Sequence, residues 1–447
     1  MPLPRRSLKP VDEARAATFM ARLDALRRER PEAPVILVTA FSFGSNYLKL
    51  LHHLRKRGAI VALVTGDERI NGATPIASLA GQGFFDIHWA SNPYVLEMPY
   101  LASRYDFDLV HALVGTYSPY PFAELLRLCS APVVADYIDF RELMYDDGVS
   151  VDLEAHKQAF GVQDAGLEFE LWRRIFTGAA GVVYKDSPES LRHLSRRHGH
   201  TPRAIEFQSY VCPEWMPPEA LRPRDGTPSR AVFAGGLQCD PAQHDFKTCR
   251  TTLDVALSLA RQGFHFTVYN ACDNGLGGFE AFRELADANE RFAYHPAVPN
   301  HLLARALSAH DLGWNYQHFE QGSETAFCHA RVMSSKIFNF LEAGLPVVAS
   351  RYTAYVASYL EAHDIGLGVE SRDIGDFAAL VRETDWDRLH AGVARARDTL
   401  SMDRHFPRLL DLYNHVTGKT LFAGTPGDIT PDGNPALRAQ AQGEPDA

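Results

Sequence analysis

The sequence predicts an α/β protein made of two doubly wound parallel sheets facing each other across a cleft. Three observations lead there. Short runs of Val, Ile, Leu and Ala recur between amphipathic helical stretches. These runs are apolar throughout rather than alternating, so they suit strands buried on both faces of a parallel sheet. The alternation stops at a proline-rich stretch, 213–228, and then restarts. At 447 residues the chain also exceeds one ordinary core.

Taken in order, residues 11–30 read as a charged helix. Residues 35–39 form the first strand, 41–46 a glycine-containing loop and 47–57 a helix, which Gly58 ends. Further strands are expected at 60–65, 108–111, 132–136 and 181–184, with helices at 122–129 and 187–197. The second unit opens with a strand at 230–234, ending in Gly235-Gly236. A helix at 251–262 and strands at 264–269, 292–295 and 311–314 follow. A late helix lies around 406–416, and the Gly-, Pro- and Asp-rich residues beyond about 420 read as a disordered tail. The expected division is 1–215, 216–395, a C-terminal helix at 396–419 and the tail at 420–447.

Residues 334–350, SSKIFNFLEAGLPVVAS, carry the strongest local signal. Ile337, Phe340 and Leu341 recur at helical spacing and face a core. Gly344 can take the left-handed conformation that ends a helix, and Pro346 prevents it from resuming. Val347-Val348-Ala349 is a compact buried strand. Ser334, Ser335 and Lys336 place two hydroxyls and an ammonium at the positive end of the helix, an arrangement suited to phosphate.

Composition excludes several classes. The net charge of −10 argues against nucleic-acid binding. No apolar run approaches the ~20 residues that span a bilayer. The start, Met-Pro-Leu-Pro-Arg-Arg, leads into a charged helix rather than a signal-peptide core. Six cysteines are scattered without metal-type pairing and read as reduced thiols, so a cytoplasmic protein without a metal site is expected.

The 334–350 segment resembles the signature K-x-F-E-Y-L-A-x-G-x-P-V-V-A of GT-B glycosyltransferases, especially the family-4-like group. Other landmarks resemble the same family. Asp108-Leu-Val-His111 is similar to its D-[IVL]-[IV]-H strand, and residues 178–191 to its A-D-x-V-x-x-V-S-E-x-L segment. Ala234-Gly235-Gly236-Leu237 is similar to its G-R-L loop, and residues 292–298 with Asp311-Leu-Gly to its F-x-G-x-V…A-D-[IVL] pattern. The resemblance covers residues 33–415. It implies two Rossmann-like domains, an N-terminal acceptor-side domain and a C-terminal domain that binds a nucleotide sugar. The sugar nucleotide is then a co-substrate, with no cofactor and no metal, and the acceptor is a glycan, a lipid-linked chain or a small molecule.

That chemistry must stabilise a departing phosphate, which calls for fixed dipoles and cations. Gly235 and Gly236 let backbone N–H groups approach the phosphate. Lys336 neutralises charge, with Lys247 as a second cation, and Ser334, Ser335 and His295 complete the donor set. The family's two glutamates, eight positions apart, are replaced by Arg331 and Asn339. Asn339 retains an amide for a ribose hydroxyl. Glu320 and Glu324 are upstream carboxylates, read as surface charges. On the acceptor side the candidates are the Gly44-Ser45-Asn46 loop, Asp139 at a strand end, and His111. The basic stretch 192–200 reads as a solvated helix face, with peripheral contact to anionic lipid at the inner face of the membrane as a second reading.

A second resemblance competes. Asp146-Asp147-Gly148, His295-Pro296 and Ser334-Ser335 are similar, in that order, to motifs of GT-B transferases that use CMP-activated acidic sugars such as sialic acid or Kdo. It implies Asp146 as general base. Asp146-Asp147-Gly148 also reads as an ordinary turn, which is the preferred reading. A GT-B-shaped sugar-nucleotide epimerase and a non-catalytic binding protein are the further alternatives.

Overall fold

The structure, a computed structural model, describes residues 11–41, 43–44, 47–66, 68–70, 74–91, 97–115, 118–221, 227–237, 249–273, 278–315, 328 and 330–423. The strands are β1 (Val35–Ala40), β2 (Ile60–Thr65), β3 (Arg69–Ile70), β4 (Thr74–Pro75), β5 (Ile87–Ala90), β6 (Leu109–Val114), β7 (Val133–Tyr137), β8 (Gly181–Tyr184) and β9 (Ala204–Glu206). A second set comprises β10 (Arg230–Gly235), β11 (His265–Asn270), β12 (Phe292–His295), β13 (Leu312–Asn315), β14 (Val347–Ser350) and β15 (Gly366–Val369).

The first sheet has the order β5-β2-β1-β6-β7-β8-β9 and the second β12-β11-β10-β13-β14-β15. Every pairing within both is parallel. In each sheet the strand order reverses beside the first strand, between β1 and β6 and between β10 and β13. Ligands of doubly wound sheets bind at such points, outside the carboxyl ends. The two expected doubly wound sheets are therefore present. β1, β2 and β6 are buried at every position, because helices cover both faces.

The 334–350 segment folds as helix Lys336–Glu342, a glycine stop and β14. Gly344 has φ +76°, the left-handed value that ends the helix. Phe340 packs on Gly313 of β13 so closely that an added Cβ there would stand 2.6 Å from ring atom Cδ1. Contact of this kind locks the helix against its own sheet.

Two strands of the first sheet escape a reading by apolar runs. β5 is Ile-His-Trp-Ala, and β9 is a three-residue edge strand, half-buried throughout. The late helix, Met402–Thr417, starts from Ser401, whose hydroxyl caps the Arg404 N–H. It returns to the first unit: a Cβ on Gly181 of β8 would lie 3.1 Å from both Leu412 and Val416. The tail expected from 420 onward lies almost wholly outside the described residues.

Candidate functional site

β10 and the helix Lys336–Glu342 meet at the switch point of the second sheet. The Lys336 side chain runs directly over Gly235. A Cβ at Gly235 would overlap Lys336 Cε and sit 3.1 Å from Cδ and 3.4 Å from Nζ. Glycine at this strand end thus clears the path of a lysine. Its neighbour Gly236 clears Cys272, whose Sγ would be 2.8 Å from an added Cβ. Ser334 Oγ donates to Asn315 Oδ1 at 2.8 Å, tying the helix start to the end of β13. Ser335 is the N-cap residue, and its hydroxyl makes no capping bond.

His295 is exposed at the end of β12 and stacks on Tyr269 with centroids 4.8 Å apart and planes 22° apart. Ala234, Tyr269 and His295 are paired in line across three strands. His295 is therefore two strand spacings, about 9.6 Å, from the β10 end. A buried residue that no motif marks organises this edge. Asn270 Oδ1 accepts the Leu237 N–H at 3.1 Å and the Cys272 N–H at 3.0 Å. Its Nδ2 donates to the Tyr294 hydroxyl at 3.1 Å, which in turn donates to Asp273 at 2.9 Å.

The opposite wall comes from the first sheet. Asp139 follows β7 and is half-buried. Asp186 follows β8 and is 1% exposed. Asp186 Oδ2 accepts the Phe140 N–H at 3.0 Å, and its Oδ1 has no hydrogen-bond partner among the described residues. Burial, and then the charge of Asp139, push the Asp186 carboxyl well above the usual carboxylate range. Lys185 pairs with Asp136 and lies 5.1 Å from the Tyr47 ring centroid. The Tyr47 phenol is pushed up by burial and by the charges of Asp136 and Asp139. Asp186 also forms a β-bridge with Val332, and the Ser187 N–H donates to the Arg331 carbonyl at 2.7 Å. The carboxyl end of β8 therefore touches the segment that immediately precedes Ser334, Ser335 and Lys336.

A buried ion pair fastens the two units beside this seam. Lys49 Nζ stands 2.7 Å from Glu342 Oε1, with both side chains 1% exposed. Lys49 also donates to the Ser209 carbonyl at 3.2 Å, and the Cys212 N–H donates to Glu342 at 2.7 Å. Burial raises the Glu342 carboxyl, and the Lys49 ammonium opposes the rise. Lys49 further donates to Asn339 Oδ1 at 3.4 Å. The amide oxygen expected to meet a ribose is thus turned toward the first unit.

Two acceptor-side candidates are removed. His111 has no exposed surface and is held between Asp136, 3.1 Å from Nε2, and the Tyr413 hydroxyl, 2.7 Å from Nδ1. It anchors the last helix to the first sheet. Asp146 is also fully buried. Its carboxylate binds Arg197 at 2.6 Å, His193 at 2.9 Å and the Gly148 N–H at 2.8 Å, leaving nothing open to an acceptor. Asp147 accepts the Val149 and Ser150 N–H groups at 2.7 Å each, so Asp146-Asp147-Gly148 is a turn. The basic stretch 192–200 turns partly inward too, since His198 reaches Glu142 at 3.1 Å while Arg192 and Arg196 stay exposed. The Gly44 carbonyl accepts the Tyr47 N–H at 3.1 Å. Ser45, Asn46, Lys247, Glu320 and Glu324 lie outside the described residues.

No known family pattern matches the chain, and no curated protein matches its sequence. Solved structures do match. The chain is similar to α,α-trehalose 6-phosphate synthase from Burkholderia multivorans at 10% identity and TM-score 0.53, covering 86% of this chain and 99% of that one. It is similar to TarM at 11% identity and TM-score 0.54, covering 85% and 99%. It is also similar to a putative UDP-N-acetylglucosamine 2-epimerase from Listeria monocytogenes at 10% identity and TM-score 0.50, covering 86% and 96%. At these identities the likeness speaks for the fold, and the fold is GT-B. Among the described residues, no helix is long and apolar enough to cross a membrane.

Proposed function

We propose that this protein is a GT-B glycosyltransferase that moves a sugar from a nucleotide donor to a hydroxyl acceptor, either a glycan, a lipid-linked chain or a small molecule. The observation that carries the reading is Lys336 laid across Gly235 at a switch point, opposite a half-buried carboxylate. Fixed positive charge at that point favours the leaving phosphate as the sugar–phosphate bond breaks. The Ser335 hydroxyl, which makes no capping bond, is offered to the same phosphate, while Ser334 is held on Asn315 and fixes the helix start. The exposed His295 ring, held flat on Tyr269, offers a stacking face for the base at a nucleotide's reach.

Across the seam, Asp139 takes the proton of the acceptor hydroxyl as that oxygen bonds to the sugar. Burial and the Asp139 charge raise the neighbouring Asp186 carboxyl, which opposes a second negative charge beside Asp139. The nucleotide sugar is a co-substrate in this reading, and no cofactor takes part. The likeness to both transferases and an epimerase supports nucleotide-sugar chemistry in either form. The burial of Asp146 weighs against the CMP-dependent variant that would use it as base.

The test is incubation with UDP-, GDP-, dTDP- and CMP-sugars, following nucleotide release and thermal stability together. Nucleotide release in the presence of acceptor is expected, with mass-action stabilisation by the matching nucleoside diphosphate. Epimerised sugar without release would assign the epimerase instead. Absence of both binding and turnover at millimolar nucleotide would overturn the reading.

A further inference from the structure

We propose that His52, His53, Cys212 and Glu214 form a binding site for a borderline-soft divalent cation, with zinc as the principal candidate, at the seam between the first unit, the connector and the last helix. The four residues come from two places, with a third segment close by. His52 and His53 lie on helix Leu48–Lys56, Cys212 caps the turn Pro213–Trp215, which contains Glu214, and Asp403 in the first turn of the last helix stands beside them. One ligand atom from each of His52, His53 and Cys212 lies within 4.8 Å of the other two. His53, Glu214 and Asp403 form a second, overlapping group on the same criterion.

The ring geometry of His53 is the independent observation. Its side chain is 1% exposed, and Nδ1 sits 3.0 Å from the Lys49 carbonyl. A carbonyl only accepts, so Nδ1 carries the hydrogen and Nε2 presents a bare lone pair. That Nε2 is buried without a hydrogen-bond partner among the described residues, 3.6 Å from Asp403 Oδ1. An acceptor there faces an acceptor. His52 Nε2 is also buried and, among the described residues, has no hydrogen-bond partner; it stands 3.8 Å from Glu214 Oε1. Cys212 Sγ lies 3.3 Å from Glu214 Oε2. A cation held by His52, His53, Cys212 and Glu214 would give both buried Nε2 atoms a partner.

The donor chemistry selects the ion. Two imidazoles, a thiolate and a carboxylate suit zinc or cobalt, whereas magnesium and calcium take oxygen ligands. A backbone carbonyl on the far ring nitrogen is the usual device for aiming a metal-binding histidine. Tetrahedral zinc with bonds of about 2.0–2.3 Å sets its ligand atoms roughly 3.4 Å apart, so the cluster closes by about 1 Å on binding. Lys56 now bridges Glu214 and Asp403, at 2.5 and 2.9 Å, and is 41% exposed, so its ammonium can leave for solvent. Cys212 releases its thiol proton to solvent as the metal–sulfur bond forms. The ion would staple the helix and the turn together, and no step of the proposed transfer passes through it.

The test uses the full-length protein, stripped with chelator and titrated with Co²⁺. One Co²⁺ per chain with a thiolate-to-cobalt absorption band is expected, displaced by Zn²⁺ and not by Mg²⁺. Cys212→Ser should abolish the band. Glu214→Gln, at a half-exposed position that leaves folding intact, should weaken Zn²⁺ binding about tenfold or more. Absence of a band in the wild type, persistence of the band in Cys212→Ser, undiminished Zn²⁺ affinity in Glu214→Gln, or equal binding of Mg²⁺ would each overturn the proposal.

Discussion

Gly235→Ala tests the phosphate grip without touching a charged group. Gly235 does not need a positive φ, so alanine is acceptable to the backbone. The new Cβ would overlap Lys336 Cε, and Cδ and Nζ would be 3.1 and 3.4 Å away. Carbon pairs prefer about 3.5–4.0 Å, so the lysine must leave its path. It is a flexible chain with a half-exposed position, and the folding cost should stay near 1 kcal/mol or less. Displacing its ammonium from the leaving phosphate should cost on the order of 2–4 kcal/mol in the transition state, by analogy with loss of one oxyanion donor. That corresponds to about 30–1,000-fold in turnover. Lys336→Ala should lose as much, and the double variant no more than either, because both remove one interaction. The measurements are nucleotide release on the donor identified by the panel and urea denaturation of all four proteins. Wild-type turnover in Gly235→Ala, or additive losses in the double variant, would refute the assignment.

Asp139→Asn should lower turnover by about 10²–10⁴ while nucleotide binding, read by thermal shift, is unchanged. Asp146→Asn should leave turnover per folded molecule unchanged but reduce stability by about 1–3 kcal/mol in urea denaturation, since it weakens the hold on Arg197 and His193. Lys49→Met should cost about 3–5 kcal/mol by stranding the buried Glu342, and Lys49→Met with Glu342→Leu should recover most of it. Burial lowers His310 and His405 to about 4. Their unfolded values are about 6.5, so between these pH values the unfolded chain binds protons that the folded chain refuses. Stability should therefore be whole above pH ~6.5 and fall on acidification by up to about 2.7 kcal/mol per pH unit from the two groups. Replacing both with Gln should flatten that slope in denaturation curves taken from pH 7 to 4.

What the sequence determined by itself is local. The apolar run Ile60–Thr65, set between Gly58 and Gly66, reads as a buried strand, and Gly344 followed by Pro346 reads as a helix end, and both are found so. The order of such elements was enough for two doubly wound sheets, and the Ser-Ser-Lys helix start was legible because its three groups are neighbours in the chain. The meaning of single polar residues was not local. Asp146 looked open in a turn and is buried because helix Pro188–His198 brings Arg197 and His193 over it. Asn339 turned toward Lys49, and Lys49 found Glu342 far along the chain, only because helix Leu48–Lys56 packs beside helix Lys336–Glu342. His52, His53, Cys212 and Glu214 show no metal-type spacing, and they meet because packing brings the turn Pro213–Trp215 against helix Leu48–Lys56. Backbone conformation responds to nearest neighbours and hydrophobic period. The charge and partners of a buried side chain respond to whatever packing delivers within about 4 Å, and that is set by the tertiary structure.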